Sequence, residues 1–388
     1  MIEFTADPAA EALAAEAREF LAEHLPVEVE ERLYRSGTAH DPAFVAAMAE
    51  RGWLGQTWPV EFGGAGLHRF DVAGWEAEMR RADAPVYATS TTNLVAGVVQ
   101  KVGTPEQRAE LLPKVTRGEV LIVLGMTEPE CGSDVAAAQT RAVRDGDEWV
   151  INGSKMFTTN AHVGDYVFLL ARTDPDAPKH KGLTTFLVPL DQPGVEVQAV
   201  YTLSGERTNI TYYNDARVSD AWRLGEVNGG WQVMLTSLQS EHGASFASAT
   251  ERLLAAAEEW AAEEVDDGGR PRLDDPAVLG ALARCAADIE VSGLLSQRIG
   301  WMGKRGDQVG AEGPMVKLFS TESLVRAAQE VVEVVGPDAL RSYFEPSAPA
   351  GGRIEHALRF SLGTTIYAGT SEVQRGIIAQ RGLGLPRS

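Results

Sequence analysis

Residues able to do chemistry gather in three stretches. One runs Thr365-Ile366-Tyr367-Ala368-Gly369-Thr370-Ser371-Glu372-Val373-Gln374-Arg375-Gly376-Ile377-Ile378-Ala379-Gln380. It passes from an apolar run through a glycine into a hydroxyl-rich turn, then into a helix with Val373, Ile377 and Ile378 on one side. Thr370 or Ser371 suits the N-cap, and the N–H groups behind a cap suit an anionic or carbonyl-bearing ligand. The same pattern describes a plain capped helix, and both readings stand. The second stretch is Met126-Thr127-Glu128-Pro129-Glu130-Cys131-Gly132-Ser133-Asp134, and the third is Lys155-Met156-Phe157-Thr158-Thr159-Asn160. Taken singly, these read as a polar turn and a strand with one buried Phe. No His stands at a recognisable spacing from Cys131, which reads as a small buried packing residue. The seven histidines form no metal-ligand pattern.

These stretches need elements to position them. Apolar periodicity predicts helices over 9–25, from Asp41-Pro42 to Gly52, and over 71–81, 91–102 and 105–118. Phe62-Gly63-Gly64-Ala65-Gly66 follows no strand and lacks the Lys-Ser/Thr of a phosphate loop, so it reads as a turn. From about Val120 to Leu224 short runs alternate with turn signals: 149–153, 166–172, 184–188 and 210–213, with Asp145-Gly146 and Asn152-Gly153 as turn dipeptides. This predicts a β-domain, a barrel or sandwich. Helical periodicity returns from Gly230. It predicts a first long helix from Trp231 to about Glu264, a second over 275–302 and a third over 314–335, then a Pro/Gly/Ser loop over 341–352 and final helices. The expected domains are 1–120 helical, 121–229 β and 230–388 helical, an α+β chain.

The chain has 388 residues, enough for two or three packed units. No apolar run is long enough to span a bilayer, and Met1–Ala10 lacks a basic region followed by an apolar core. Two distant cysteines make a disulfide framework unexpected and fit a reducing, cytoplasmic location. A net charge of −20 argues against nucleic acid or an anionic membrane as partner. It leaves room for an anionic small ligand held by a few local cations and amides.

The order helical, β, helical, together with the three stretches, resembles the acyl-CoA dehydrogenases over essentially the whole chain. The resemblance implies that fold: an N-terminal helical domain, a central β-barrel-like domain and a C-terminal four-helix bundle. It implies FAD as cofactor. In the family the second stretch lies along the flavin, which falls here on Met126, Thr127 and Ser133. The third places an aromatic ring and a hydroxyl against it, falling on Phe157 and Thr159. Thr370 and Glu372 are implied as further flavin contacts. Such donors stabilise charge on a reduced ring.

The implied reaction is α,β-dehydrogenation of an acyl-CoA. A carboxylate removes the α-proton while the β-hydrogen leaves as hydride to flavin N5. In much of the family the base follows the signature tyrosine, where this chain has Ala368. One branch carries its glutamate on the first long C-terminal helix, and Glu241 falls on that position, with His242 after it in place of the usual arginine. That branch has a small residue at the signature position, which agrees with Ala368. The backbone N–H of Ala368 remains as the implied donor to the thioester oxygen.

The family's homotetramers also grip the flavin diphosphate across subunits, through Arg-x-x-Phe-Gly and Gln-x-x-Gly-Gly. Here the corresponding segments read Glu263-Glu264-Val265-Asp266-Asp267-Gly268-Gly269-Arg270-Pro271-Arg272-Leu273 and Glu333-Val334-Val335-Gly336-Pro337. Neither motif is intact, and a carboxylate facing a diphosphate is repulsive. The expectation is a related second subunit in an α2β2 heterotetramer, similar to the actinobacterial steroid side-chain enzymes. A bulky steroid acyl-CoA is then the expected substrate and an electron-transfer flavoprotein the expected acceptor. The alternatives are a flavin oxidase on the same fold, or a non-catalytic subunit that completes a partner's site.

Overall fold

A computed structural model describes residues 8–68, 71–241, 245–265 and 268–386, with the side chains of residues 237–241 and of Lys304 outside the description. Helices come first: α1 (Pro8–His24), α2 (Val27–Ser36), α3 (Pro42–Glu50), α4 (Ala73–Arg81), α5 (Tyr87–Val102) and α6 (Pro105–Thr116). Their starts follow local chemistry. Asp41 accepts from Phe44 N at 2.8 Å ahead of Pro42, and Thr104 and Gln107 form a reciprocal capping box ahead of Pro105.

Eight strands follow: β1 (Ile122–Gly125), β2 (Arg141–Asp145), β3 (Glu148–Lys155), β4 (Tyr166–Arg172), β5 (Leu183–Pro189), β6 (Val195–Tyr201), β7 (Arg207–Ser219) and β8 (Arg223–Leu224). They join in one sheet of order β6-β7-β3-β2-β4-β5-β8, with β1 parallel to β4. Asp145-Gly146 is the turn between β2 and β3. Asn152-Gly153, expected as a turn, instead lies inside β3 at a register shift against β7. Gly153 has φ +145°, and a Cβ there would meet Thr140 Cα at 2.8 Å, so the glycine serves a bulge and a close backbone approach.

Helices then run to the end: α7 (Gly230–Glu241), α8 (Ala247–Glu263), α9 (Pro276–Lys304), α10 (Glu312–Val335), α11 (Arg353–Thr364) and α12 (Ser371–Ile377). The expected single helix over 231–264 is two helices, α7 and α8, on either side of residues 242–244, which lie outside the described residues. Among the described residues, Ser245 and Phe246 are non-helical ahead of α8. The terminal helix is also shorter than its periodicity suggests, since backbone hydrogen bonding changes to a π-type turn over Ile378–Gly382.

The chain divides into two compact units. The sheet unit holds residues 15–73 and 84–241. Its β4 is apolar on both faces, and successive side chains serve different cores. Phe168 packs with Leu187 of β5, with Val95 and Val99 of α5, and with Val233 of α7. Val167, Leu169 and Ala171 pack with Trp149, Ile151, Phe186 and Tyr213. This period-2 division is why the run reads as continuously hydrophobic.

The bundle unit holds residues 1–14, 74–83 and 242–388. One core joins four of its helices: Leu253, Ala257 and Trp260 of α8, Val278 and Cys285 of α9, Leu324 and Val331 of α10, and Ile354 of α11. Small alanines at 256, 261, 327 and 328 let these helices approach closely.

Candidate active site

In the sheet unit, a buried charge pair binds the second and third stretches together. Lys155, at the end of β3, is 0% exposed. Its Nζ donates to Glu128 Oε1 at 2.7 Å and to the Met126 carbonyl at 3.2 Å. Glu128 also accepts from the N–H groups of Gln139 (2.7 Å) and Thr140 (2.9 Å). Next in line, Met156 N donates to the Thr127 carbonyl at 2.8 Å. Burial opposes ionisation of Glu128, but Lys155 and the backbone donors outweigh it and hold the carboxyl below its ordinary value. Arg172 of β4 fastens the far end of the same loop, donating to the carbonyls of Ala136 and Ala138.

Beyond Lys155 the backbone turns sharply. Phe157 has φ +58° and Asn160 φ +63°, values rare for residues with a Cβ. Thr158 between them is fully buried and pinned on both sides: its N–H donates to the Asn209 carbonyl at 2.8 Å, and its carbonyl accepts from Asn209 Nδ2 at 3.1 Å. The result throws Phe157 outward. Its ring is 55% exposed, so the reading of a strand with a buried Phe is corrected. Thr159, half-buried, shares a hydrogen bond with Thr208 at 3.0 Å, and its hydroxyl keeps capacity for a second. Thr127 and Met126 are half-buried and Ser133 is exposed.

These residues fit a planar, polar-edged aromatic group. An exposed Phe157 ring stands beside hydroxyls with spare capacity. Asn160 follows directly, with both side-chain polar atoms buried and without a protein partner among the described residues. Unmet donors and acceptors next to an unpacked ring are the features a flavin ring would satisfy. Cys131 is a free, buried thiol packed with Ala138, Leu170 and Met234, and burial raises it above the ordinary thiol value, as a packing residue requires. The 62–66 glycine loop is a turn: a Cβ on Gly64 would meet the Trp58 carbonyl oxygen at 2.2 Å.

In the bundle unit, the signature stretch is a strained turn. Ala368 has φ +53° and Gly369 φ +84°. Thr370, not Ser371, is the N-cap of α12, accepting from Val373 N at 3.3 Å. Both turn carbonyls are held from below. Gln374 Nε2 donates to Ala368 O at 3.0 Å, and Lys317 Nζ of α10 donates to Gly369 O at 2.7 Å. Among the described residues nothing accepts the N–H of the exposed Ala368. Thr365, Thr370, Glu372 and Arg375 line a cleft of about 360 Å³ in this unit. The Oγ of Ser371, also in its lining, is buried and unpartnered. The exposed carboxyl of Glu372 lies below its ordinary value, held by its own backbone N–H and by Thr370 at the helix start.

The structure thus brings Met126, Thr127, Phe157 and Thr159 onto one hydrogen-bonded framework, with Ser133 further along the same loop. It gathers Ala368, Thr370 and Glu372 on one turn. Glu241 is the last residue of α7, in the sheet unit; its side chain is outside the described residues, as is all of His242. Sequence reasoning missed the roles of Glu128, Lys155, Lys317 and Gln374 as supports. Glu128 and Lys155 lie inside the quoted motifs. A buried lysine needs a carboxylate or carbonyl partner, and that need was the available signal.

Comparison with known proteins fits this geometry. The chain matches the descriptions "Acyl-CoA dehydrogenase, N-terminal domain" over residues 7–119, "middle domain" over 123–215 and "C-terminal domain" over 228–383. It is 37% identical to acyl-CoA dehydrogenase FadE26 of Mycobacterium tuberculosis over 89% of this chain and 88% of the relative. It is 35% identical to FadE29 of the same organism over 92% of each. Among solved structures, the ChsE4-ChsE5 complex from Mycobacterium tuberculosis and the Tcur3481-Tcur3483 steroid ACAD each superpose with a TM-score of 0.91 at 34% identity, covering 100% of both chains. With the whole chain matched and the supporting framework in place, this protein belongs to the acyl-CoA dehydrogenase family, flavoprotein oxidoreductases that act on CH–CH bonds.

Proposed function

We propose that this chain is the base-bearing subunit of a heteromeric, FAD-dependent acyl-CoA dehydrogenase that converts a bulky steroid side-chain acyl-CoA to its trans-2-enoyl-CoA. The observation that carries the reading is a matched exchange. At the signature turn the side chain is reduced to Ala368, while its N–H has no acceptor among the described residues. On α7 a glutamate, Glu241, stands at the helix end.

Glu241 removes the α-proton of the thioester. The N–H of Ala368 donates to the thioester oxygen as enolate charge develops there, an interaction that strengthens only toward the transition state. A bound FAD supplies the acceptor for the β-hydrogen. Met126, Thr127, Ser133, Phe157, Thr159, Thr370 and Glu372 are the residues proposed to hold it. The proposed domains keep their borders at 120/121 and 229/230.

Steroid chemistry is supported by the description of the Tcur3481-Tcur3483 neighbour as a steroid ACAD, and the heteromer by the two-component names of both neighbours. The chain's own residues point the same way. Glu333, where the cross-subunit grip would sit, is exposed at the end of α10, just before Gly336 at φ +83°. An electron-transfer flavoprotein is the proposed acceptor and the cytoplasm the proposed location.

The experiment is Glu241→Gln in the assembled enzyme. Turnover falls by roughly 10²–10⁴ with flavin content unchanged. Retained turnover moves the base elsewhere and makes this chain an accessory subunit. Expression alone and with related partner chains, scored by bound flavin, tests the heteromer; stoichiometric FAD and full activity from this chain alone would sink it.

A further inference from the structure

Lys317 is a buried ammonium without a carboxylate partner among the described residues. It lies on α10 and is 4% exposed. Among the described residues no carboxylate stands within ion-pair distance of its Nζ, which spends its close contact on one backbone carbonyl, Gly369 O at 2.7 Å. Burial lowers it from the ordinary lysine value to about 8, with Glu322 and Glu372 pulling the other way, so it is charged at neutral pH. Glu322 of α10 is itself engaged by Arg375 of α12, at 2.6 and 2.9 Å.

Burying a charge for one carbonyl is costly unless the geometry it enforces matters. The geometry here is unusual. Two successive left-handed residues, Ala368 and Gly369, are each held through the carbonyl: Ala368 by Gln374 at 3.0 Å, and Gly369 by Lys317 at 2.7 Å with a longer contact from Gln374 at 3.4 Å. Both clamps grip carbonyls, and the N–H of Ala368 is left unbonded. A Cβ on Gly369 would meet Gln374 Nε2 at 2.7 Å, so the clamp and the glycine require each other.

We propose that Lys317 is a positioning residue for the dehydrogenation: its ammonium, seated on the Gly369 carbonyl, fixes the left-handed turn so that the Ala368 N–H is presented to the thioester oxygen. The proposal rests on the role assigned above to that N–H. Lys317 does not touch the reacting atoms. It acts by keeping the peptide from relaxing to a conformation in which the donor turns away.

The test uses the assembled holoenzyme with Lys317→Met, Lys317→Arg and Gln374→Met. Amide exchange of peptides covering 365–371, read by mass spectrometry, needs no ligand. In Lys317→Met it rises about tenfold or more, while peptides from the middle of α10 and α11 hold their protection. With the acyl-CoA the enzyme turns over best, kcat falls about 10- to 100-fold and KM stays within about twofold, because the misplaced donor matters in the transition state. Lys317→Arg, which keeps a charged donor, recovers part of kcat. Gln374→Met carries the same test should Lys317→Met fail to assemble: faster exchange in 365–371 with the same kcat-selective loss. Unchanged exchange overturns the clamp. Faster exchange with unchanged kcat, or a loss confined to KM, overturns the positioning role. Failure of the functional reading shows separately, as no acyl-CoA-dependent flavin reduction in the wild-type enzyme, and it overturns the proposal with it.

Discussion

Two lysines perform the same act in the two units under different electrostatic terms. Lys155 donates to the Met126 carbonyl in the sheet unit, and Lys317 to the Gly369 carbonyl in the bundle unit. Each holds a loop whose next residues are candidate ligands of the cofactor or substrate. Lys155 is sealed and carries its own carboxylate, Glu128, which backbone donors also hold. Lys317 donates to a carbonyl, and among the described residues no carboxylate lies within ion-pair distance of it. The first arrangement is a closed network whose members satisfy one another, and it makes the loop a permanent fixture. The second is a single contact on a strained turn. It sets one donor's direction and leaves the rest of the turn free to meet a ligand.

The largest expected effect breaks the closed network. Lys155→Met leaves the Glu128 carboxylate buried against Gln139 and Thr140 without its cation. Removing one partner of a buried pair costs roughly 3–5 kcal/mol. Urea unfolding of the sheet unit should show a loss of that order. Adding Glu128→Gln, which removes the stranded charge and keeps acceptors for the backbone donors, should recover a substantial part. If the double variant is as unstable as Lys155→Met, the pair is not the unit of stability that the comparison assumes. The equivalent change at Lys317 should cost the fold far less, since no carboxylate is stranded.

What the sequence disclosed follows the range of the interactions involved. Asp41-Pro42 and Pro105 announced helix starts because capping is settled within four residues. The cap of α12 was narrowed to Thr370 or Ser371 for the same reason. The apolar run 166–172 was legible as a strand because its length and the turn signals bounding it are local. Asn152-Gly153 misled because the dipeptide's turn preference was overridden by a close approach to Thr140, thirteen positions before Gly153. The continuous helix over 231–264 failed because apolar periodicity does not report a short interruption, here seen at Ser245 and Phe246. Lys155 with Glu128 are separated by 27 residues and Lys317 with Gly369 by 52. No periodicity reports such pairings; only the buried position of a lysine hints at them. The outward Phe157 was hidden for a related reason, since the neighbouring Thr158 is held on both sides by Asn209 of β7.

Opposite substitutions at the strained turn sharpen the contrast at a smaller scale. Gly369→Ala places a Cβ against Gln374 Nε2 in a left-handed conformation and should destabilise the bundle unit by roughly 1–2 kcal/mol. Ala368→Gly removes a left-handed Cβ penalty and should be neutral or stabilising by up to about 1 kcal/mol, net of the added freedom of the unfolded chain. Thermal melts of both variants decide this. If Ala368→Gly is clearly destabilising, the turn is held by packing of that methyl and not by the two carbonyl clamps.

The smallest effect separates the two loops by pH. His162 sits behind the Phe157 loop. Its Nδ1 faces Asn209 Nδ2 at 3.3 Å and its Nε2 faces Thr38 Oγ1 at 2.9 Å. The Asn209 amide cannot turn around, because Oδ1 accepts from Arg207 and Nδ2 donates to the Thr158 carbonyl. His162 Nδ1 must therefore accept, and a proton there would face a donor. Burial, then the charges of Arg207 and His40, lower the imidazole to about 4. Between pH 6.5 and 4 the unfolded chain's histidine holds a proton that the folded one refuses, so the stability it contributes is present above pH 6.5 and is lost as the pH falls through that window. His162→Gln, a neutral acceptor and donor of similar reach, should flatten the stability curve of the sheet unit between pH 4 and 6.5 and leave it unchanged at pH 8. An unaltered acid limb in that variant would assign the acid sensitivity to another group. It would also leave Asn209, and with it the Phe157 turn, independent of His162.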